Sequence, residues 1–271
     1  MGSSLPIFGG GTCARKYDWT VLGQSLFTPK NLQAITPTNK DRPYGAWLYT
    51  GLNLLQEKDH QDFTTLQNFE VLGGVVGPFA LGNLTQNDFH QFIGVQPARG
   101  WQNQLHNEPG ISLSAEQKWR FAEPLGGNFA VDAIPEAGAT VGNIFTYGEV
   151  GGLVRIGQNL GADYGPNQIR PSLSGTSWFN AEKLNGKMGW YLFAGTQGRV
   201  VGRNIFLDGN SFENSPSVDK KPLVADFIAG ASVLWTTAIR MDFTVTDRTK
   251  EFYGQQGDND RFGGIDLAFA L

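Results

Sequence analysis

The sequence predicts an all-β protein, an antiparallel transmembrane β-barrel, and three observations point to it. Runs of apolar–polar alternation reach 11 to 14 residues, whereas strands of soluble proteins average about 5–6. Glycine supplies 36 of 271 residues and aromatics 12%, while charged side chains make up only 17% against a usual ~25%. The segment Arg261–Leu271 alternates Ile265, Leu267, Phe269 and Leu271 with Asp266, Ala268 and Ala270. Successive strand side chains point to opposite faces, so one face of this last segment is wholly apolar and needs burial or lipid.

The elements follow in order. Lys16–Phe27, Tyr44–Leu55 and Phe63–Gly77 read as strands. Ile111–Phe121 sets Leu113, Ala115, Trp119 and Phe121 against Ser112, Ser114, Glu116, Lys118 and Arg120. Asn128–Ala139, Ile144–Gly157 and Lys187–Arg203 come next, then Leu223–Trp235 with Leu223, Ala225, Phe227, Ala229, Ala231, Val233 and Trp235 on one face. Thr237–Lys250 is the most regular, with Ile239, Met241, Phe243 and Val245 opposite Arg240, Asp242, Thr244, Thr246 and Arg248. With the C-terminal segment this makes ten strands, each long enough to span, since about 10 residues tilted at roughly 45° cross a bilayer. A soluble sandwich would turn the polar faces outward, whereas a barrel in lipid turns them to its lumen; length favours the barrel. Short connections such as Glu123–Gly127 and Trp235–Thr237 alternate with longer ones, although the long segment Gln158–Gly186 breaks that rhythm.

Other classes are bounded by composition. A net charge of −4 without a dense Lys/Arg block gives no pull toward nucleic acid. The single Cys13 excludes an intrachain disulfide and a cysteine-based zinc site. No run of about 18 apolar residues offers a helical span; Phe227–Ile239 is too short and carries Ser232, Thr236 and Thr237. The first residues have neither a basic nor an apolar signal region, so this start is read as a mature, recombinant or altered one.

Three histidines are candidates for chemistry. His60 sits in a charged turn, Glu57-Lys-Asp-His-Gln-Asp62, and reads as a solvated loop residue; His106 lies in Gln104-Leu-His-Asn-Glu-Pro-Gly110. His90 lies four residues after Gln86, which puts both on one face if a helical turn forms there. Gln86 would then orient the imidazole or a water it activates, while the plain alternative is a loop histidine bonded to a backbone carbonyl. Asp258-Asn-Asp260 reads as a polar hairpin loop and Leu207-Asp-Gly-Asn210 as a turn. The run Asp219, Lys220 and Lys221 is either solvated or faces lipid phosphates.

Gln86-Asn-Asp-Phe-His-Gln-Phe-Ile-Gly94 followed by Trp101-Gln-Asn-Gln-Leu-His-Asn-Glu108 resembles the outer-membrane lipid A deacylase family (lipid A 3′-O-deacylase). The likeness extends in order through Gln24-Ser-Leu-Phe-Thr-Pro29, Asp41-Arg-Pro-Tyr-Gly-Ala-Trp-Leu-Tyr-Thr-Gly51, Val75-Val-Gly-Pro78, Trp190-Tyr-Leu-Phe-Ala-Gly195, Phe206-Leu-Asp-Gly-Asn210 and Glu251-Phe252. It implies a twelve-stranded barrel in the bacterial outer membrane of which about ten strands are present here. The implied activity is removal of an ester-linked 3′-acyloxyacyl group from lipid A of lipopolysaccharide, a hydrolase reaction requiring Ca²⁺. By position the family's catalytic histidine is His90 and its neighbouring glutamine Gln86. Asp88 and Asp41 are the candidates for calcium, helped by Asn87; Lys40 and Arg42 are candidates for substrate phosphate. The family begins with two further strands that carry an Asn-Asp pair and a Thr of its active site, and nothing before Tyr17 resembles them. The expected organisation is therefore a disordered or non-native N-terminus over 1–16 and a barrel domain over 17–271. A shortened or inactive barrel with a structural or binding role is the alternative, and a soluble lipocalin-like protein is a third reading.

Overall fold

The computed structural model describes residues 13–36, 40–166 and 178–269. Ten antiparallel strands form one sheet in sequence order: β1 Cys13–Phe27, β2 Gly45–Asp59, β3 Thr64–Val76, β4 Glu108–Gly126, β5 Phe129–Gly142, β6 Phe145–Gln158, β7 Gly189–Asn204, β8 Leu223–Trp235, β9 Ile239–Arg248 and β10 Asp260–Phe269. All ten expected strands are present. β1 starts at Cys13, so only residues 1–12 of the expected unstructured start lie outside the described residues, as do Ala270 and Leu271 of the last strand. β4 runs on to Gly126 through the stretch expected as a turn, because Phe121–Pro124 pairs with Ala130–Ala133 of β5.

The two faces of the wall are inverted relative to a soluble protein. In β9, Arg240 and Asp242 are fully buried, whereas Phe243 and Val245 are 45% and 53% exposed. β4 repeats this with Ser112, Ser114, Lys118 and Arg120 buried and Ile111, Leu113 and Phe121 exposed. A charge leaves water only when paired, and apolar area this large is left uncovered only against lipid. The polar faces therefore line a lumen and the apolar faces meet hydrocarbon. No described helix is long and apolar enough to cross a membrane.

One end of the barrel carries the turns 60–63, 127–128 and 236–238; the other carries 143–144 and the loops 28–44, 77–107, 205–222 and 249–259. The connection between β6 and β7 lies at the short-turn end and breaks the expected rhythm because its described residues 159–166 fold back into the lumen. Asp163, fully buried, receives Arg155 of β6, Arg240 of β9 and the Tyr191 hydroxyl of β7. Arg120 of β4 donates to the Gly161 and Asp163 carbonyls at 3.1 and 3.0 Å. A carboxylate beside two guanidiniums keeps its charge in a place closed to water, so this network ties the loop to four strands. At the other end Phe206, from the helical turn α2 (Ile205–Asp208), enters the lumen and stacks on Phe27 at 3.9 Å among Trp47, Leu72 and Phe145.

Among the described residues β1 pairs only with β2, and β10 only with β9. Ten strands are an even number, but their pairing does not close the ring. Loops meet above the seam instead: Arg42 of loop 28–44 pairs with Glu251 of loop 249–259 and lies 5.7 Å from the Phe252 ring.

Candidate active site

Loop 77–107 carries helix α1, Gly82–Phe92. The expectation was one helical turn; the helix has 11 residues. It starts after Leu81, which adopts a left-handed conformation with φ 58° and offers no side-chain cap. That start lacks the Ser, Thr, Asp or Asn by which an N-terminus is ordinarily read.

The helix rests on the outside of the wall. Ala46 shares the outward face of β2 with Leu48, Thr50 and Leu52, yet it is completely buried while Leu52 is exposed. Its cover is Gly82: a Cβ built there would sit 2.5 Å from the Ala46 Cβ and 2.6 Å from the Trp101 ring. Trp101 in turn packs on Tyr44 with ring centroids 5.0 Å apart. Gln24, opposite Leu48 on the same outer face, donates to the Ala80 carbonyl at 2.6 Å. Leu84, Phe89 and Phe92 point away from the wall, Phe92 being 85% exposed. The helix thus continues the lipid-facing surface at the rim of the loop-bearing end.

Its polar residues face the returning segment 95–98 of the same loop. The Asn87 side chain brackets Ala98, accepting from its N–H at 2.7 Å and donating to its carbonyl at 3.2 Å. The His90 carbonyl accepts from Val95 N at 2.8 Å. His90 Nδ1 lies 2.8 Å from the Gln96 carbonyl oxygen. A carbonyl only accepts, so Nδ1 carries the hydrogen and Nε2 of the neutral ring keeps its lone pair. The bond to a backbone carbonyl is the plain alternative expected for this histidine.

Gln86 does not bond His90. Its Oε1 accepts the Trp101 indole N–H at 2.7 Å, and because that N–H only donates, the Gln86 amide group is left as a donor on the other side. Trp101 went unnoticed as a site residue from the sequence, where an aromatic of this kind reads as core or girdle.

The remaining candidates stand elsewhere. Both Asp41 oxygens accept backbone N–H groups, from Lys30 and Arg42, at 2.9 and 2.8 Å. Asp88 is exposed on α1, and among the described residues no three His, Cys, Asp or Glu side chains are grouped so as to hold a metal ion. Calcium takes roughly six to eight oxygens. Asp41, Asp88 and Asn87 therefore do not fit it as a set. Arg42 is committed to Glu251, and Lys40 is exposed in the same loop. That loop touches the His90 segment, where Arg99 N donates to Leu32 O at 2.9 Å. His60 stacks on Phe63 at 4.5 Å in a turn at the opposite end, and His106 Nδ1 lies 3.1 Å from Glu213.

A wall of antiparallel strands with an apolar exterior and a charged lumen defines an integral membrane β-barrel. The family model described as Outer membrane protein LpxR matches residues 1–271. The chain belongs to that family and is an outer-membrane protein. Its fold is similar to the structure of LpxR from Salmonella typhimurium, with TM-score 0.80 and 24% identity over 95% of this chain and 84% of that one. No curated protein matches.

Proposed function

We propose that the protein hydrolyses the ester-linked 3′-acyloxyacyl group of lipid A, with His90 as general base. The observation that carries this reading is the position of α1 outside the barrel wall, where a leaflet lipid reaches His90 without entering the filled lumen. A water between Nε2 and the acyl carbonyl would lose a proton to His90 as its oxygen attacks the carbonyl carbon. The tetrahedral intermediate then collapses, the sugar oxygen leaves, and the imidazolium returns the proton to it. The products are the acyloxyacyl carboxylic acid, its own secondary ester intact, and a sugar hydroxyl. Gln96, accepting from Nδ1–H, steadies the ring while it is charged. The Gln86 amide, held by Trp101, is a donor suited to the oxygen of the developing intermediate. General-base assistance of this kind contributes about 10²–10⁴-fold.

The test uses purified protein in detergent with lipid A and Ca²⁺, reading the mass lost from the lipid. Release is expected from the wild type and at background from His90→Ala with unaltered folding. Equal release from the variant would remove His90 from the mechanism. The calcium requirement implied by the resemblance belongs to the proposal as well: chelation is expected to stop release, and release that persists in chelator would discard it. The alternative, a barrel with a structural or binding role, is favoured by Gln86 being turned to Trp101 and not to His90. It predicts no release from either protein.

A further inference from the structure

A second feature of the outer wall lies on β5–β8, away from α1. Two rows of outward side chains cross these strands in register: Ala137, Val150, Gly198 and Ala225 in one, Gly148, Val200 and Leu223 in the next. Alternating Val with Gly or Ala leaves a groove of about 840 Å³, within the roughly 300–1,000 Å³ of ligand sites.

The glycines here have no backbone reason to be glycine. At Gly230, by contrast, an added Cβ would strike the Phe243 carbonyl at 1.9 Å. At Gly148 nothing lies within 4 Å of such a Cβ, and at Gly198 only the Val150 carbonyl does, at 3.9 Å. Neither has a positive φ. The missing side chains leave open space and nothing else, so their effect is the groove itself.

The mouth of the groove, at the loop-bearing end, holds Lys221 and Lys250. Lys221 is fixed there: its N–H donates to the Glu251 carbonyl at 2.8 Å, and its ammonium lies 5.5 Å from the Tyr253 ring centroid. Lys220, by contrast, is neutralised by Asp208 at 2.8 Å. An apolar trough running from a cationic rim into the hydrocarbon layer complements an anionic headgroup with acyl chains below it.

We infer that this groove docks a phosphorylated outer-leaflet lipid of the lipid A type, its phosphate at Lys221 and Lys250 and an acyl chain over Gly148 and Gly198. The site shares no residue with α1 and does not depend on the hydrolytic reading.

Native mass spectrometry of the full chain, counting lipids retained through delipidation, tests it. The probes are bisphosphorylated lipid A, the same lipid without phosphates, and phosphatidylglycerol; acylated and deacylated forms are counted together. The wild type is expected to retain one phosphorylated lipid A in preference to both others. Gly148→Leu with Gly198→Leu fills the trough, and Lys221→Glu with Lys250→Glu reverses the rim. Each pair is expected to weaken retention at least roughly tenfold. Undiminished retention in either pair of variants would overturn the site. Equal retention of the dephosphorylated lipid, or preference for phosphatidylglycerol, would do so without any variant.

Discussion

Gly82→Ala is the sharpest probe of how the histidine is placed. The change adds one methyl group at the contact between α1 and the wall, where its Cβ would lie 2.5 Å from Ala46 and 2.6 Å from Trp101. Carbon atoms rest at about 3.5–4.0 Å, so the helix must withdraw by about 1–1.5 Å. Two effects compete. Alanine is the better helix former by up to ~1 kcal/mol, while overpacking a closed contact costs about 1–3 kcal/mol. The contact wins, because its neighbours are the Ala46 Cβ on the wall and an indole ring already held by Tyr44 and Gln86. A displacement near 1 Å at a catalytic group can reduce the rate about 10²-fold. Acyl release from lipid A is therefore expected to fall by roughly that factor, with the strand content of the barrel unchanged by circular dichroism, since no strand pairing is touched. Adding Ala46→Gly removes the nearer obstacle and is expected to restore part of the rate and of any stability lost to the overpacking. Wild-type release from Gly82→Ala, with the helix unmoved, would refute both the packing argument and its link to His90.

Two further outcomes follow from the ion pairs. Asp163→Ala leaves Arg155 and Arg240 buried with fewer partners, so the barrel should lose about 3–5 kcal/mol; urea unfolding and protease cleavage within 159–166 measure it, and an unchanged midpoint would contradict the plug. Burial pushes the Glu251 carboxyl up, but the Arg42 and Arg248 guanidiniums outweigh it and hold the carboxyl below its usual value. A depressed value means the stabilisation is present above the unfolded carboxyl pKa of about 4.3 and is lost as pH falls through the folded one. Hydrogen exchange in loop 249–259 should accordingly rise on acidification, and Glu251→Gln should flatten that dependence; identical profiles would count against the pairing.

The site was only partly legible. His90 and Gln86 stood out because a residue pair four apart is a local pattern and because the surrounding block resembles a known family. The length of α1 was hidden by its start at Leu81, which carries no capping signal. Trp101 and Gly82 were hidden for a different reason. Their roles arise from contacts with Gln86 and with Ala46, which no spacing announces. The loop 159–188 looked anomalous because nothing local marks Asp163 as the meeting point of Arg155 and Arg240, the latter 77 positions away.

Strand number and alternation were set by the sequence alone, because a period of two is a property of neighbouring residues. Which face of that alternation meets water is not local, since Phe243 beside Asp242 reads equally well as a soluble strand or a barrel stave. Only the tertiary structure decided it, by burying Arg240 and Asp242 among partners drawn from several strands and leaving Phe243 and Val245 uncovered. The same long-range packing set α1 against Ala46 on the outer surface and brought residues 159–166 into the lumen, where Arg155 and Arg240 meet Asp163.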